Sequence, residues 1–188
     1  MTLPRDEYRA RLEYWRTTYA TSDRRFRQIG NARLATGIVA VFLAAIAIGA
    51  GWISPWWLLL PLVAFIALAI VHDRVDKRRT SATRGAAYYD RALSRVENRW
   101  IGNGRQGEEF RDPKHVYAED LDLFGRGSLF ELLSTARTAA GERVLAGWLL
   151  APSEPAEVRA RQEAVAELRP RLDLREEIAL MGEDIRAA

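Results

Sequence analysis

The tightest grouping of residues able to move protons or hold a metal ion lies at His115, Glu119, Asp120 and Asp122. Carboxylates so arranged bind Mg²⁺ or Mn²⁺, or act as an acid and base pair. No second cluster in the chain completes such a site, and the other histidine, His72, lies far off in sequence. Helix caps and surface ion pairs are the expected roles, so no catalytic, cofactor-binding or metal-ligating residue is expected in these 188 residues. The glycine-rich run Gly102-Asn103-Gly104-Arg105-Gln106-Gly107 has the spacing of a dinucleotide-binding loop. That loop works where a strand enters it and a helix opens from it. Here a helical pattern precedes the run, and Glu108, Glu109, Phe110, Arg111, Asp112 and Pro113 follow it, an environment hostile to phosphate. Residues 101–114 are read as flexible, within a linker covering 101–126. The absence of cysteine excludes disulfides and thiolate chemistry.

The elements around these residues are defined first by charge. All 28 basic and 25 acidic residues lie outside residues 34–71, a run of 38 residues without a charge. The mean hydropathy of -0.20 conceals this segregation. The remaining residues are too polar to wrap so large an apolar block in a water-soluble core. A single helix of that length measures roughly 57 Å, about twice the hydrocarbon thickness of a bilayer, so two passes fit. Gly49, Gly51, Ser54 and Pro55 mark the break, giving spans at about 34–53 and 56–71, with Pro61 expected to kink the second. Trp52, Trp56 and Trp57 sit at the turn, where indoles favour the interface of lipid and water. Residues 1–33 and 72–100 each carry a net charge of +4, whereas 101–188 carries -5. Positive flanks stay inside, so the expectation is an inner-membrane protein with two spans, both termini in the cytoplasm, and Arg33 and Arg74 at the membrane surface. Arg24, Arg25, Arg27 and Arg33, with Arg74, Lys77, Arg78 and Arg79, also admit reading as a nucleic-acid patch.

Helical periodicity fills the flanks. Tyr8, Leu12, Trp15, Tyr19, Ser22, Phe26 and Ile29 recur at spacings of three and four, and Val75, Arg79, Ala82, Ala86, Tyr89, Leu93, Val96 and Trp100 repeat the rhythm. Helices entering and leaving a hairpin are antiparallel neighbours, so these stripes are expected to meet as a stalk. Packing of each stripe on the body of the protein or on a second subunit is the alternative. The predicted fold is all-α. A cytoplasmic amphipathic helix (1–33) is followed by the transmembrane hairpin (34–71), a second amphipathic helix (72–100), the linker, and an orthogonal helical array over 127–188. In that array Ser128, Thr138 and Ser153 are expected N-caps, and Pro152 and Pro170 expected stops. Val144, Leu145, Trp148 and Leu149 are the expected buried face of one helix, and Val158, Val165 and Leu168 that of the next. The final helix is expected to run from about Asp173 to a truncated end at Ala188.

Gly127-Ser128-Leu129, Leu132-Leu133, Thr135, Thr138, Gly141, Arg143, Leu145, Trp148-Leu149, Pro152, Arg161, Val165 and Leu168 together resemble the opening of the helical core, or lever, of the MutS family of mismatch-repair ATPases. The resemblance covers under a quarter of the chain, and its residues read as packing elements. It implies the partial lever of an ATP-dependent DNA-binding protein, which the uncharged run of residues 34–71 would anchor in a membrane. ATP and Mg²⁺ would be held by a domain beyond residue 188, with the lipid bilayer, DNA and a second copy of the chain as partners. The sequence departs from the family in having no Phe-x-Glu mismatch wedge, which argues against mismatch repair proper, and no Gly-x-x-x-x-Gly-Lys-Ser/Thr loop. These residues leave open whether the whole protein is an enzyme. The alternative function is a membrane-anchored helical scaffold that binds a protein partner and no DNA, a view favoured by the acidic balance of 101–188.

Overall fold

The computed structural model describes residues 4–49 and 55–181, and among these every regular element is helical. Six α-helices follow in order: α1 (Pro4–Gly49), α2 (Leu59–Val96), α3 (Leu129–Leu133), α4 (Ala139–Leu150), α5 (Pro155–Leu168) and α6 (Leu172–Met181), with 3-10 turns at Pro55–Leu58 and Glu108–Phe110. The chain divides into two compact units, Arg11–Ala86 and the combination of Met1–Ala10 with Ala87–Ala188.

In the hairpin unit, Arg11–Ala86, the two long helices meet along the stripes read from the sequence. Leu12, Ser22 and Ala82 are buried. Gly85 leaves the room that Trp15 fills, since a β-carbon there would lie 2.4 Å from the indole. Arg79 reaches back to Asp23 at 2.9 Å and lies over the rings of Tyr19 and Phe26 at 5.7 and 5.0 Å. Farther along, Phe26 stacks on His72 at 4.2 Å. Pro61 does not kink the second helix from within as expected. The helix starts at Leu59, so Pro61 occupies its first turn, where the amide that proline lacks has no helical partner to lose. Gly51 and Ser54, read as parts of the break, and Trp52, read at the turn, lie outside the described residues.

The terminal unit holds its own core. Phe110, Phe124 and Phe130 form a triangle with centroid separations of 6.0, 5.6 and 5.6 Å, and Ala118, Leu123 and Ala146 close around it. Phe110, Ala118, Leu123 and Phe124 of this core come from the 101–126 segment read as a linker, so that segment is a packed part of the unit, Phe110 included although 101–114 was expected to be flexible. The segment is pinned by polar clasps whose partners lie tens of residues away. Glu131, 1% exposed, accepts Gly104 N–H at 3.0 Å on one oxygen and Gly127 N–H at 2.7 Å on the other. Arg105 donates two bonds of 3.1 Å to buried Glu142, and Gly125 N–H donates to Gln106 O at 2.8 Å. Buried polar groups satisfied in this way tie a loop down as firmly as apolar contact.

The helical array differs from expectation in detail. Ser128 caps α3 by accepting Glu131 N–H, and Thr138 caps α4 by accepting Gly141 N–H, both as read. For α5 the cap position is Glu154, with no side-chain bond, and Pro155 opens the helix. The face that α4 buries carries Glu142 and Ala146, while Val144 and Trp148 are about half exposed. Arg105 holds Glu142 and so turns the helix by its polar residue. None of Val158, Val165 and Leu168 on α5 is buried, because within this chain α5 packs mainly on α6. The final helix is described from Leu172 to Met181.

Candidate functional site

Two sets of residues were singled out by sequence, and each lies in its own unit. In the hairpin unit the apolar side chains find little within the protein to cover them. Val41 is 71% exposed, and Phe42, Leu60, Val63, Ile66 and Ile70 are all at least half exposed. A surface of this kind is far larger than scattered exposed leucines explain. Both long helices are long and apolar enough to cross a membrane, judged by length and composition. At the turn, Trp56 is 76% exposed and Trp57 also faces outward, whereas Trp52 lies outside the described residues. At the opposite end of the apolar stretch, Arg33 lies over the Phe65 ring at 5.1 Å, and Arg74 is exposed. Arg33 Nε and His72 Nδ1 are buried without hydrogen-bond partners, beside a groove of about 920 Å³ walled by Leu34, Gly37, Val41 and Phe65. Ala40 and Ala44 line a second cleft with Pro61 and Leu62.

In the terminal unit the sequence motif builds turns and caps. Gly127 has φ +78°, a conformation open to glycine, and its amide belongs to the Glu131 clasp. Ser128 and Thr138 are the caps, and the Gly141 amide completes the second. Leu145 and Leu149 pack against the core from α4, which ends two residues before Pro152. Leu129, Arg143 and Trp148 face outward. Arg161 of α5 stacks on the Trp148 ring at 3.9 Å and pairs with Glu157, so the tryptophan links two helices from the outside.

Two members of the polar cluster, His115 and Glu119, make structural hydrogen bonds. His115 Nε2 lies 2.9 Å from Leu150 O, and Tyr117 donates its hydroxyl to Leu149 O at 3.2 Å. Both therefore serve the carbonyls that the last turn of α4 leaves without helical partners. Glu119 accepts two bonds from Arg111 at 2.7 and 2.6 Å, and those bonds depress its pKa. No grouping of metal-binding side chains occurs among the described residues. The glycine-rich run does not offer its Gly104 amide to a dinucleotide's pyrophosphate. Its Gly104 amide is spent on Glu131, and a β-carbon at Gly104 would lie 2.8 Å from that carboxyl-bearing side chain. The same unit holds one strongly depressed carboxyl: Glu97, hydrogen-bonded by Arg99, Arg9 and Arg5, has its pKa lowered to about 2.

Sequence reasoning missed the Glu131 clasp, the Arg105–Glu142 pair and the service of His115 to α4. Only the first left a local trace, the Ser128-x-x-Glu131 spacing of a capping box.

Residues 114–187 match the family model MutS domain III. Over 121 residues the chain is 39% identical to the DNA mismatch repair protein MutS of Myxococcus xanthus (strain DK1622), an alignment covering 63% of this chain and 13% of that protein. No solved structure matches. The helical segment that begins near His115 and runs through α6 is therefore MutS-like, matching domain III of that family.

Proposed function

We propose that residues 34–71 anchor this protein in the cytoplasmic membrane, with both chain ends on the cytoplasmic side. In this reading the MutS-like helices are the start of a lever in a longer ATP-dependent DNA-binding protein. The observation that carries the anchor is the outward-facing apolar surface of the hairpin, uncharged through 38 residues and bounded by arginines. Lipid covers such a surface without cost, whereas water does not. The lever rests on the match to MutS domain III, and transmission of motion is the work proposed for α3 to α6. Half-exposed Val144, Trp148 and Val165 offer apolar contact to further parts of such a protein or to a second copy. DNA handling related to mismatch repair follows from the relative, with nucleotide chemistry supplied outside these residues.

A reporter fused after residue 100 tests the anchor: cytoplasmic activity is expected, and periplasmic activity there refutes the two-span arrangement. For the lever, DNA binding of the native full-length protein is expected to weaken steeply as salt rises, because phosphate contacts release counterions. A second reading, a membrane-tethered scaffold for a protein partner, is favoured by the net charge of -5 over residues 101–188. DNA binding that is absent or insensitive to salt would support it.

A further inference from the structure

We infer that the terminal unit contains a binding site for a small phosphate monoester with an aromatic or apolar body, in the cavity between the end of α2, the 134–138 turn and α6. The cavity measures about 590 Å³ and is lined by Arg91, Arg95, Arg137 and Arg175, with no carboxylate among its lining residues. Four guanidinium groups around one space make it strongly cationic, with Arg175 also donating to Arg169 O at 3.3 Å. Burial, and then the charge of Arg91, both depress the pKa of Arg95, which nevertheless stays cationic at neutral pH.

Two further observations point the same way. Ser134 is only 9% exposed, lines this cavity, and its Oγ has no hydrogen-bond partner. A buried hydroxyl without a partner is costly unless a ligand supplies one. Thr138, the N-cap of the twelve-residue helix α4, also lines the cavity, so the positive end of that helix faces it. Arg95 donates to Ser134 O at 2.7 Å, which fixes the turn, and the Arg95 fork has further N–H groups for an anion.

The volume decides the size class. It falls within the range of sites for small organic molecules, and a bare phosphate would leave most of it empty. The remaining walls are Val96, Leu168 and Ile178, with the phenol rings of Tyr8 and Tyr88. That lining suits an aromatic or aliphatic body attached to the phosphate. Several guanidinium forks favour a phosphate dianion over a carboxylate because its two charges and three terminal oxygens engage more than one fork at once.

The test is calorimetric titration of the full chain in nanodiscs with phenyl phosphate, inorganic phosphate and phenol. Phenyl phosphate is expected to bind saturably and more tightly than inorganic phosphate, and phenol not at all. Ser134→Ala and Arg91→Gln are each expected to weaken binding about tenfold, the value of one charge-assisted hydrogen bond. Ser134→Ala breaks no existing hydrogen bond of that hydroxyl, so its melting temperature should be unchanged, which separates lost binding from lost folding. No saturable binding of phenyl phosphate, or equal affinity in both variants, overturns the assignment. So does binding of a short DNA duplex that depends on these residues while phenyl phosphate fails to bind.

Discussion

The hairpin helices and the 101–150 segment invert the usual relation between hydropathy and burial. Residues 34–71 are the most apolar part of the chain, yet side chains such as Val41, Leu60 and Val63 stay exposed. Residues 101–150 look polar and glycine-rich, yet they hold the fully buried Phe130 and two nearly inaccessible carboxyl side chains, Glu131 and Glu142. Apolar composition therefore marks where a different solvent is needed, and burial marks where long-range partners exist. The terminal unit compensates for few apolar residues by giving its buried carboxylates, Glu131 and Glu142, named donors.

That contrast can be broken most forcefully in the hairpin. The double variant Val41→Arg with Ile66→Arg places two charges on its exposed face. In lipid each costs about 2.5 to 3.5 kcal/mol, so carbonate-resistant membrane association should be lost. In water such surface changes cost within about 0.5 kcal/mol, and unchanged fractionation would refute the lipid-facing assignment. Next comes Phe130→Ala, which removes the fully buried corner of the aromatic triangle and should destabilise the terminal unit by about 3 to 5 kcal/mol, read by urea unfolding. Glu131→Gln should cost about 1 to 3 kcal/mol, since one acceptor replaces two and either Gly104 or Gly127 loses its bond. Faster hydrogen exchange at one of those two amides would locate the loss. The smallest effect concerns Glu97. Its folded pKa of about 2 lies below the ordinary value of 4.5, so its arginine contacts stabilise above pH 4.5 and fade as pH falls toward 2. Glu97→Gln should flatten that part of the stability profile, measured by acid unfolding of both proteins.

Legibility from sequence followed the same divide. The uncharged run, the two stripes, and the Ser128 and Thr138 caps are local patterns, and each was readable because its physics operates within one or two helical turns. Helix class and the resemblance over 127–168 were readable on the same basis. The partners Arg105 and Glu142 stand 37 residues apart, and His115 and Leu150 stand 35 apart. Nothing periodic announces such pairs, so the segment holding them read as a tether. The arginine-lined cavity escaped for the same reason, because its walls come from α2, the 134–138 turn and α6.

The Glu131 clasp has a practical corollary. A single side chain grips amides at 104 and 127, so the intervening residues form a closed eyelet whose outermost point includes exposed Lys114 and the 90% exposed Val116. Tryptic scission after Lys114 should yield two pieces that migrate together on a native gel and separate only in denaturant, as a knotted cord holds when cut beyond its knot.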